Sequence, residues 1–338
     1  MRILLVTNMY PSPERPDYGV FVARLADALR ARGHDVEDVV LHAGARGPIA
    51  TPRAYGRLTR QARAAVARHR PDVVYAHFLV PTGLVAIATR IPYVITAHGS
   101  DVRNMRRSPV VAALTKPVLR RAAAVICVSA YVARLLAAPA DVTVEVIDCG
   151  VDTQRLKPAP RANDGVSNGP RFLFVGSLTH RKNVERLLLA FGKLGGGTMT
   201  IVGGGPLEER LRAIAPVGTR FAGRLSSDGV AAEIAKADVV CLPSLEEAQG
   251  QAMLEALARG RPVVATRVGG PAEVVTPRIG ALVDPLDVDS IAAGMVAAAA
   301  LPVPCHEAVR VAAEHALPIQ AERVEAVLAR AANAKPRS

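Results

Sequence analysis

Short apolar runs alternate with amphipathic segments along nearly the whole chain. The run RILLVT at 2–7 leads into turn residues, and the segment 19–32 has apolar residues at helical spacing before Gly33. The alternation continues to residue 147 and starts again at residue 171. Alternating strands and helices are typical of a parallel sheet with helices on both faces. The sequence therefore predicts two doubly wound α/β domains.

The boundaries of the predicted elements follow from this alternation. Strands of the first domain are predicted at 2–7, 36–41, 72–76, 92–96, 124–128 and 142–147. Its helices are predicted at 19–32, 53–69, 82–90, 109–122 and 130–137. Strands of the second domain are predicted, with helices between them, at 171–175, 198–202, 219–222, 238–242, 262–266 and 280–283. The end of the chain, 305–334, is predicted to be helical.

Residues 157–170, KPAPRANDGVSNGP, contain almost no large apolar residue and indicate a linker. The predicted organisation is a first domain, a linker, a second domain and a C-terminal helix with its tail, over 1–156, 157–170, 171–316 and 317–338. Ligands of open α/β sheets bind beyond the carboxyl ends of the strands. Residues that bind or react should therefore follow strands.

Charge is distributed unevenly. The chain of 338 residues has 42 basic and 30 acidic side chains, a net charge of +12, and 23 of the basic but only 13 of the acidic ones lie in 1–165. The excess suggests an anionic partner for that half, such as a membrane surface, a phosphorylated small molecule or nucleic acid. Codon usage is an equally open explanation, because Arg outnumbers Lys 36 to 6.

Several classes of protein are excluded or disfavoured. No apolar run reaches the ~18 residues of a membrane-spanning helix, and the opening does not resemble a signal peptide. A GxGxxG motif is lacking, which argues against a nicotinamide or flavin enzyme. Neither a disulfide framework nor a CxxC metal site is indicated by the widely spaced Cys127, Cys149, Cys241 and Cys305. A cytoplasmic protein with reduced cysteines is expected.

Two glutamates stand out in the segment SLEEAQGQAMLEALARG, after a predicted strand. Glu247 and Glu255 are separated by seven residues, which on one helix puts them about two turns apart on nearly the same face. A carboxylate buried in this apolar segment needs a partner, and the hydroxyls of a ribose or another sugar fit it. Gly250 would let backbone approach a ligand. Alternatively, Glu247 complements the helix dipole and Glu255 pairs with an arginine.

Arg181 and Lys182 are predicted at a helix start, where cations are unfavourable for the helix itself. Two together suggest a nearby anion such as a diphosphate, and a solvated loop is the alternative. A glycine-rich turn between a predicted strand and a predicted helix begins at Gly203, and by itself it is weak evidence of a binding site. In the segment TAHGSDV, His98 could donate to a phosphate or act in acid–base chemistry, and Asp101 could orient it or cap the next helix. A structural role for His98 at the end of its strand is the alternative.

In order and spacing, these motifs resemble the retaining family 4 glycosyltransferases of the GT-B fold. The resemblance covers nearly the whole chain, and its carriers are the opening strand and loop to Gly19, HGSD, DCGVDTQRLKP, VGSLTHRKNVERLLLAF, IVGGGPLEERL, FAGRL, ADVVCLPS with both glutamates, GRPVVATRVGGPAEVV and GALVDPLDVDSIA. It implies two Rossmann-like domains that face each other across a cleft. It also implies a C-terminal helix that crosses back to the first domain.

The resemblance implies roles for individual residues. Lys182 would neutralise the donor diphosphate, Glu247 would contact the donor sugar and Glu255 would hold the ribose. His98 would lie by the transferred sugar, and Gly19 would approach the diphosphate or the acceptor. Arg181, Lys182, His98 and Glu247 form the predicted catalytic set. The remaining predicted substrate contacts are Asp101, Gly176, Ser177, Gly203, Arg224, Leu225, Gly250, Gln251 and Ala252.

The implied reaction moves a hexosyl or N-acetylhexosaminyl group, with retention, from a nucleotide diphosphate sugar to a hydroxyl of a glycan, lipid or secondary metabolite. A UDP-sugar is favoured as donor and a GDP-sugar comes next. We find no DxD pair in a fitting loop and expect a reaction that needs neither metal nor cofactor. The chain departs from the family pattern at Ser177, Cys149 and Gln249, where Arg, Asn and an aromatic residue are often found.

Other functions remain open at this stage. An epimerase of sugar nucleotides and a non-catalytic nucleotide-sugar-binding relative share the implied fold. Nucleic acid is not expected as a partner, because only 4% of the residues are aromatic and no stacking motif is present. The basic first half makes peripheral contact with the inner face of an anionic membrane a further hypothesis.

Overall fold

The computed structural model describes residues 1–13, 15–16, 18–42, 52–160 and 169–334. The chain forms two compact units, one of Met1–Gly150 with Leu317–Ser338 and one of Val151–Ala316. The linker predicted at 157–170 lies in part over residues 161–168, which are outside the described residues. The four predicted ranges stay predictions.

The first unit contains one parallel sheet of six strands. Its strands are β1 (Arg2–Thr7), β2 (Asp35–Val40), β3 (Val73–His77), β4 (Tyr93–Ala97), β5 (Ala124–Cys127) and β6 (Val144–Val146). They lie in the order β2-β1-β3-β4-β5-β6. Residues of β1, β3, β4 and β5 are almost all buried, as expected for strands covered on both faces. The predicted strands of this sheet are confirmed, with ends shifted by a residue or two.

Helices surround this sheet, and the last helix of the chain belongs with them. They are α1 (Val20–Ala31), α2 (Pro52–His69), α3 (Thr82–Thr89), α4 (Ser100–Arg107), α5 (Pro109–Arg121), α6 (Ala130–Leu136) and α13 (Leu317–Ala332). Ala321, Val324 and Leu328 of α13 recur at helical spacing and pack into the same core as β1 and α1. The first unit therefore needs α13 to complete its core.

Helix α4 was not predicted from the sequence. Its eight residues, SDVRNMRR, bury only Asp101 and Val102. A helix with one buried apolar residue has no apolar periodicity, so the pattern that located the other helices is missing. Helix α5 begins directly after it, and the Ser108 hydroxyl caps α5 by accepting from the backbone N–H of Val111 at 3.3 Å.

The second unit contains another parallel sheet of six strands. They are β7 (Arg171–Val175), β8 (Thr198–Val202), β9 (Thr219–Gly223), β10 (Val239–Leu242), β11 (Val263–Thr266) and β12 (Gly280–Val283). The flanking helices are α7 (Val184–Lys193), α8 (Glu208–Ala213), α9 (Ser227–Lys236), α10 (Gln251–Ala258), α11 (Val288–Ala299) and α12 (His306–Glu314). The strand order is β12-β11-β10-β7-β8-β9. The predicted pair of doubly wound α/β units is confirmed.

Each sheet has a point where the order of its strands reverses direction. In the second sheet β7 lies between β10 and β8, so the chain first extends to one side and then to the other. The reversal in the second sheet therefore lies between β7 and β10, and in the first sheet it lies between β1 and β3. The loops after such a pair diverge and leave a crevice at the carboxyl ends of the strands, where ligands of this architecture bind.

Three consecutive glycines after β8 let two loops of the second unit cross. The backbone N–H of Gly176 donates to Val202, and that of Leu178 donates to Gly204, at 3.0 and 3.1 Å. A Cβ atom on Gly203 would lie 1.9 Å from the Gly176 carbonyl oxygen, and the backbone there has a φ of +131°. The glycine-rich turn is therefore required by the crossing itself.

Gly203→Ala should lower the free energy of unfolding by about 3 kcal/mol, near the upper end of single-substitution effects, because its Cβ would overlap the Gly176 carbonyl. Gly196→Ala is the control, since nothing lies within 4 Å of the added Cβ. It should change stability by less than about 0.5 kcal/mol. Chemical denaturation measures both variants, and equal stabilities would contradict the crossing.

Candidate functional site

A buried carboxylate and two cations meet at the carboxyl ends of β7 and β10. The Glu247 Oε2 atom accepts from the Lys182 ammonium at 2.5 Å and from the Ser244 hydroxyl at 3.1 Å. The Arg181 guanidinium is 3.5 Å from the same oxygen. Burial by itself raises the pKa of Glu247, but the charges of Lys182 and Arg181 and the hydrogen bonds outweigh it, so that the pKa is lowered.

The segment with the two cations is fixed by an asparagine that the sequence did not single out. Asn183 is buried and has a left-handed backbone with a φ of +58°. Its side-chain amide donates to the carbonyl oxygens of Pro243 and Pro285 at 2.9 and 2.7 Å. The backbone N–H of Leu245 donates to the Arg181 carbonyl at 2.8 Å. These bonds hold the loop after β7 against the loops after β10 and β12.

Two glycines after β11 fix the backbone of Glu247. Its N–H donates to the Val268 carbonyl at 3.1 Å, and its own carbonyl accepts from Gly270 at 2.9 Å. A Cβ atom on Gly269 would lie 1.9 Å from the Glu247 carbonyl oxygen, and Gly269 has a φ of +121°. Only glycine permits this approach without strain. The glycine pair of the segment RVGGPAEVV therefore positions the glutamate.

Three details of the predicted site are wrong. Helix α10 begins at Gln251, after Glu247, so the two glutamates do not share a helix face. Glu255 lies on α10 and is half-buried, whereas burial was expected. Arg181 and Lys182 lie in a short 3-10 turn before α7, not in the helix start itself. Their local balancing charge is Glu247.

The other residues predicted in the second unit follow β7, β8 and β9 or lie at the start of α10. Gly250 precedes α10 with a φ of +90°, and Gln251 and Ala252 form its first turn. Ser177, after β7, is exposed. Arg224, after β9, is exposed and passes over Gly204, where its Nε would lie 3.2 Å from an added Cβ. Leu225, Gly176 and Gly203 complete the set; Leu225 packs partly on the core.

In the first unit, His98 lies after β4 and contacts another histidine. Its Nε2 is 3.1 Å from His77 Nδ1, and its Nδ1 is 4.0 Å from the Cys149 sulfur. The ring centroids of Phe21 and Phe78 lie 5.1 and 4.5 Å from the centroid of the His98 imidazole. Burial lowers the pKa of His98 to about 3, so its imidazole is neutral at physiological pH. His77 was missed because a single histidine inside an apolar strand indicates a core residue.

Asp101 and Gly19 have structural roles that the sequence left open. The Asp101 carboxylate accepts from the backbone N–H groups of Leu79, His98 and Val102 at 3.0 to 3.1 Å, which fixes the loop that presents His98. Gly19 has a φ of +76°, and an added Cβ would lie 2.4 Å from the backbone of Met9. Their predicted contacts with substrate stay predictions.

Two kinds of feature are lacking among the residues that the structure describes. None of the described helices is both long and apolar enough to cross a membrane. Among the same residues, no group of three or more His, Cys, Asp or Glu side chains is placed to hold a metal ion. The four cysteines are buried as free thiols.

Comparison with known proteins identifies the family. Residues 169–300 match the sequence model of the glycosyl transferases group 1, and residues 19–155 match that of glycosyltransferase family 4. A glycogen synthase of Mycobacterium tuberculosis is 30% identical, over 87% of this chain and 85% of that protein. The chain belongs to the family 4, group 1 glycosyltransferases. It also spans 58% of an uncharacterized glycosyltransferase of Methanocaldococcus jannaschii, at 29% identity.

Solved structures show the same fold for this glycosyltransferase. Sucrose-phosphate synthase from Thermosynechococcus elongatus superposes with a TM-score of 0.82 at 21% identity, over 97% of this chain and 98% of that one. HepE from Anabaena, solved in complex with UDP-glucose, gives a TM-score of 0.77 at 19% identity, over 97% and 99% of the two chains. The predicted GT-B class is confirmed.

The lowered pKa of Glu247 makes its contribution to stability depend on pH. A carboxylate whose pKa falls on folding stabilises the protein above its unfolded pKa of about 4.5, and this stabilisation is lost as the pH falls through the folded value. Glu247→Gln should therefore be less stable than wild type at pH 7, and the difference should shrink below pH 4.5. Urea denaturation from pH 3 to pH 7 measures it, with the exposed Glu209→Gln as control. A difference independent of pH would contradict the ion pair.

Proposed function

We propose that the enzyme transfers a hexosyl or N-acetylhexosaminyl group from a nucleotide diphosphate sugar to an acceptor hydroxyl. The observation that carries the proposal is the Lys182–Glu247 pair at the carboxyl ends of β7 and β10, where this architecture binds ligands. A UDP-sugar is the favoured donor and a GDP-sugar the second candidate. The UDP-glucose complex of HepE supports the first choice. The acceptor is a glycan, a lipid or a secondary metabolite.

The proposed donor contacts follow from the charge and hydrogen-bonding capacity of the site. Lys182 and Arg181 would bind the diphosphate, and the backbone N–H groups of Gln251 and Ala252 at the start of α10 would assist them. Glu247 would accept from a hydroxyl of the transferred sugar. Glu255, on α10, would accept from the ribose hydroxyls, since one carboxylate can accept several hydrogen bonds. Arg224 and Leu225 would lie near the base.

Transfer breaks the bond between the sugar C1 and the diphosphate oxygen, and the electron pair stays on that oxygen. The acceptor hydroxyl oxygen forms the new bond to C1, and its proton passes to the departing diphosphate. Positive charge grows at C1, while negative charge grows on the leaving group. Fixed cations at the leaving oxygen lower the barrier because they bind this charge better in the transition state than in the ground state. We assign this part to Lys182 and Arg181. Retention and independence of metal ions are part of the proposal.

Lys182→Ala should lower the transfer rate by at least about a hundredfold, the range for loss of one charge-stabilising group. Glu255→Ala should lower transfer by at least about tenfold, because the ribose hydroxyls lose a charged hydrogen-bond acceptor. Both variants should keep the circular dichroism spectrum of the wild type. Lys193→Ala is the matched control, because Lys193 lies on the same unit, is exposed and pairs with Asp289 on the surface. Near-wild-type turnover in either site variant would contradict the assignment.

Acceptor dependence separates transfer from the alternative functions. A panel of UDP-, GDP- and dTDP-sugars is scored by binding and by slow hydrolysis. A transferase should bind one donor and release its nucleotide faster when an acceptor is added. An epimerase would convert the donor sugar without an acceptor, and a non-catalytic relative would bind without turnover.

The first unit has a surface that favours an acceptor at an anionic membrane. From Val102 to Ala140 the chain contains no acidic residue. Arg106 and Arg107 at the end of α4 are exposed, and on α5 the side chains of Val110 and Leu114 are 69% and 41% exposed. Cations beside exposed apolar side chains suit a surface of anionic lipid, at about 1 kcal/mol for each cation. We propose peripheral membrane contact through α4 and α5, together with the basic helix α2.

Flotation with vesicles tests the membrane surface. The protein should float with vesicles that contain phosphatidylglycerol, less so at high salt, and not with phosphatidylcholine alone. Arg106→Glu with Arg107→Glu should reduce binding at least tenfold. Val110→Ser with Leu114→Ser should reduce it as well, while Val217→Ser, a fully exposed control in the second unit, should not. No salt-sensitive binding would mean an acceptor in solution.

A further inference from the structure

We propose that Glu247 makes the site release the sugar-free nucleoside diphosphate, and so distinguishes this product from the donor. The inference rests on the proposed function, since it requires Lys182 and Arg181 to bind a diphosphate. It adds a second role to Glu247, beyond contact with the transferred sugar. The role comes from the negative charge of the carboxylate.

A bound diphosphate would compete with Glu247 for the two cations. Lys182 Nζ and Arg181 Nη1 both lie within 3.5 Å of Glu247 Oε2. The side chains of Lys182 and Glu247 are only 15% and 11% exposed. A diphosphate that binds Lys182 must therefore share the ammonium with a carboxylate in surroundings that screen charge weakly. Any diphosphate at this position experiences repulsion from Glu247.

The carboxylate cannot easily move away from the incoming charge. Its backbone is hydrogen-bonded on both sides, to Val268 and Gly270, and it is packed against Gly269. The Ser244 hydroxyl donates to the same oxygen that Lys182 contacts. When Lys182 turns toward a diphosphate, Ser244 remains to hold Glu247 in place. The lowered pKa keeps the group ionised at neutral pH.

The donor and the product differ at the terminal phosphate. In the donor, the sugar esterifies the terminal phosphate and offers hydroxyl groups that can donate to Glu247. After transfer the C1–O electron pair remains on the phosphate, so the product has one more ionisable oxygen and no hydroxyl donor at this position. Glu247 is then a buried charge with fewer partners beside a more negative ligand, and both effects oppose binding of the product.

Glu247→Gln separates charge from shape, because glutamine is nearly isosteric and still accepts a hydrogen bond. Calorimetric titration with UDP and with GDP covers both candidate bases. The variant should bind the cognate diphosphate at least tenfold more tightly than wild type, and product inhibition of transfer should increase in the same proportion. Its affinity for the intact nucleotide sugar should stay equal or fall.

Two further variants make the result decisive. Glu247→Asp keeps the charge, and its affinity for the diphosphate should stay within about twofold of wild type. Glu209→Gln makes the same change in net charge on exposed α8 and should have no effect. Thermal unfolding identifies any variant that fails to fold. If Glu247→Gln fails to fold, Glu247→Ala takes its place, since it also removes the charge and should likewise bind the diphosphate at least tenfold more tightly than wild type.

Unchanged or weaker diphosphate binding in Glu247→Gln would overturn the inference and leave the proposed function intact. Failure of the proposed function has a different outcome. In that case neither diphosphate would bind wild type, or Lys182→Met would bind it as well as wild type does.

Discussion

The buried pair of Lys182 and Glu247 is the interaction on which the candidate site depends. Two opposite charges with side chains less than one sixth exposed cost free energy to desolvate, and only close contact with further hydrogen bonds offsets that cost. The surrounding loops supply those conditions. Asn183 fixes the cation, while Gly269 and Gly270 fix the backbone of the glutamate. The result is a pair of charged side chains whose backbone positions are fixed before a charged ligand binds.

The topology of the second sheet explains why these groups can meet. Lys182 follows β7 and Glu247 follows β10, and these strands are neighbours although more than sixty residues separate them in sequence. Parallel strands end at the same edge, so both loops open on one side of the sheet. The glycine crossing between the loops after β7 and β8 brings a third loop to the same place. In the second unit, the strand order that defines the fold therefore also brings the site residues together.

The fold could be predicted because each strand and nearly every helix leaves a hydrophobic pattern in consecutive residues. Buried parallel strands are short apolar runs, and covering helices have apolar periodicity, so two doubly wound units follow from the sequence. Helix α4 was missed because its sequence has no such periodicity. That Lys182 and Glu247 each follow a strand of the second sheet could also be predicted. That the two pair with each other could not, since their contact is set by tertiary structure.

Residues whose role is to position others were the ones that the sequence concealed. Asn183 contacts Pro285, about a hundred residues away, and Gly269 contacts Glu247 through its lack of a side chain. His77 contacts His98 from the neighbouring strand. None of these contacts leaves a local pattern. The helix assumed to include both glutamates was wrong for the same reason, because the bridge of Glu247 to Gly269 delays the helix start to Gln251.

The most direct test of the account is a crystal structure of the protein with the nucleotide sugar that the donor panel selects. The account predicts the diphosphate within hydrogen-bond distance of Lys182 Nζ, a sugar hydroxyl on Glu247 and the ribose hydroxyls on Glu255. A nucleotide bound elsewhere, or a diphosphate beyond hydrogen-bond distance of Lys182 Nζ, would contradict it.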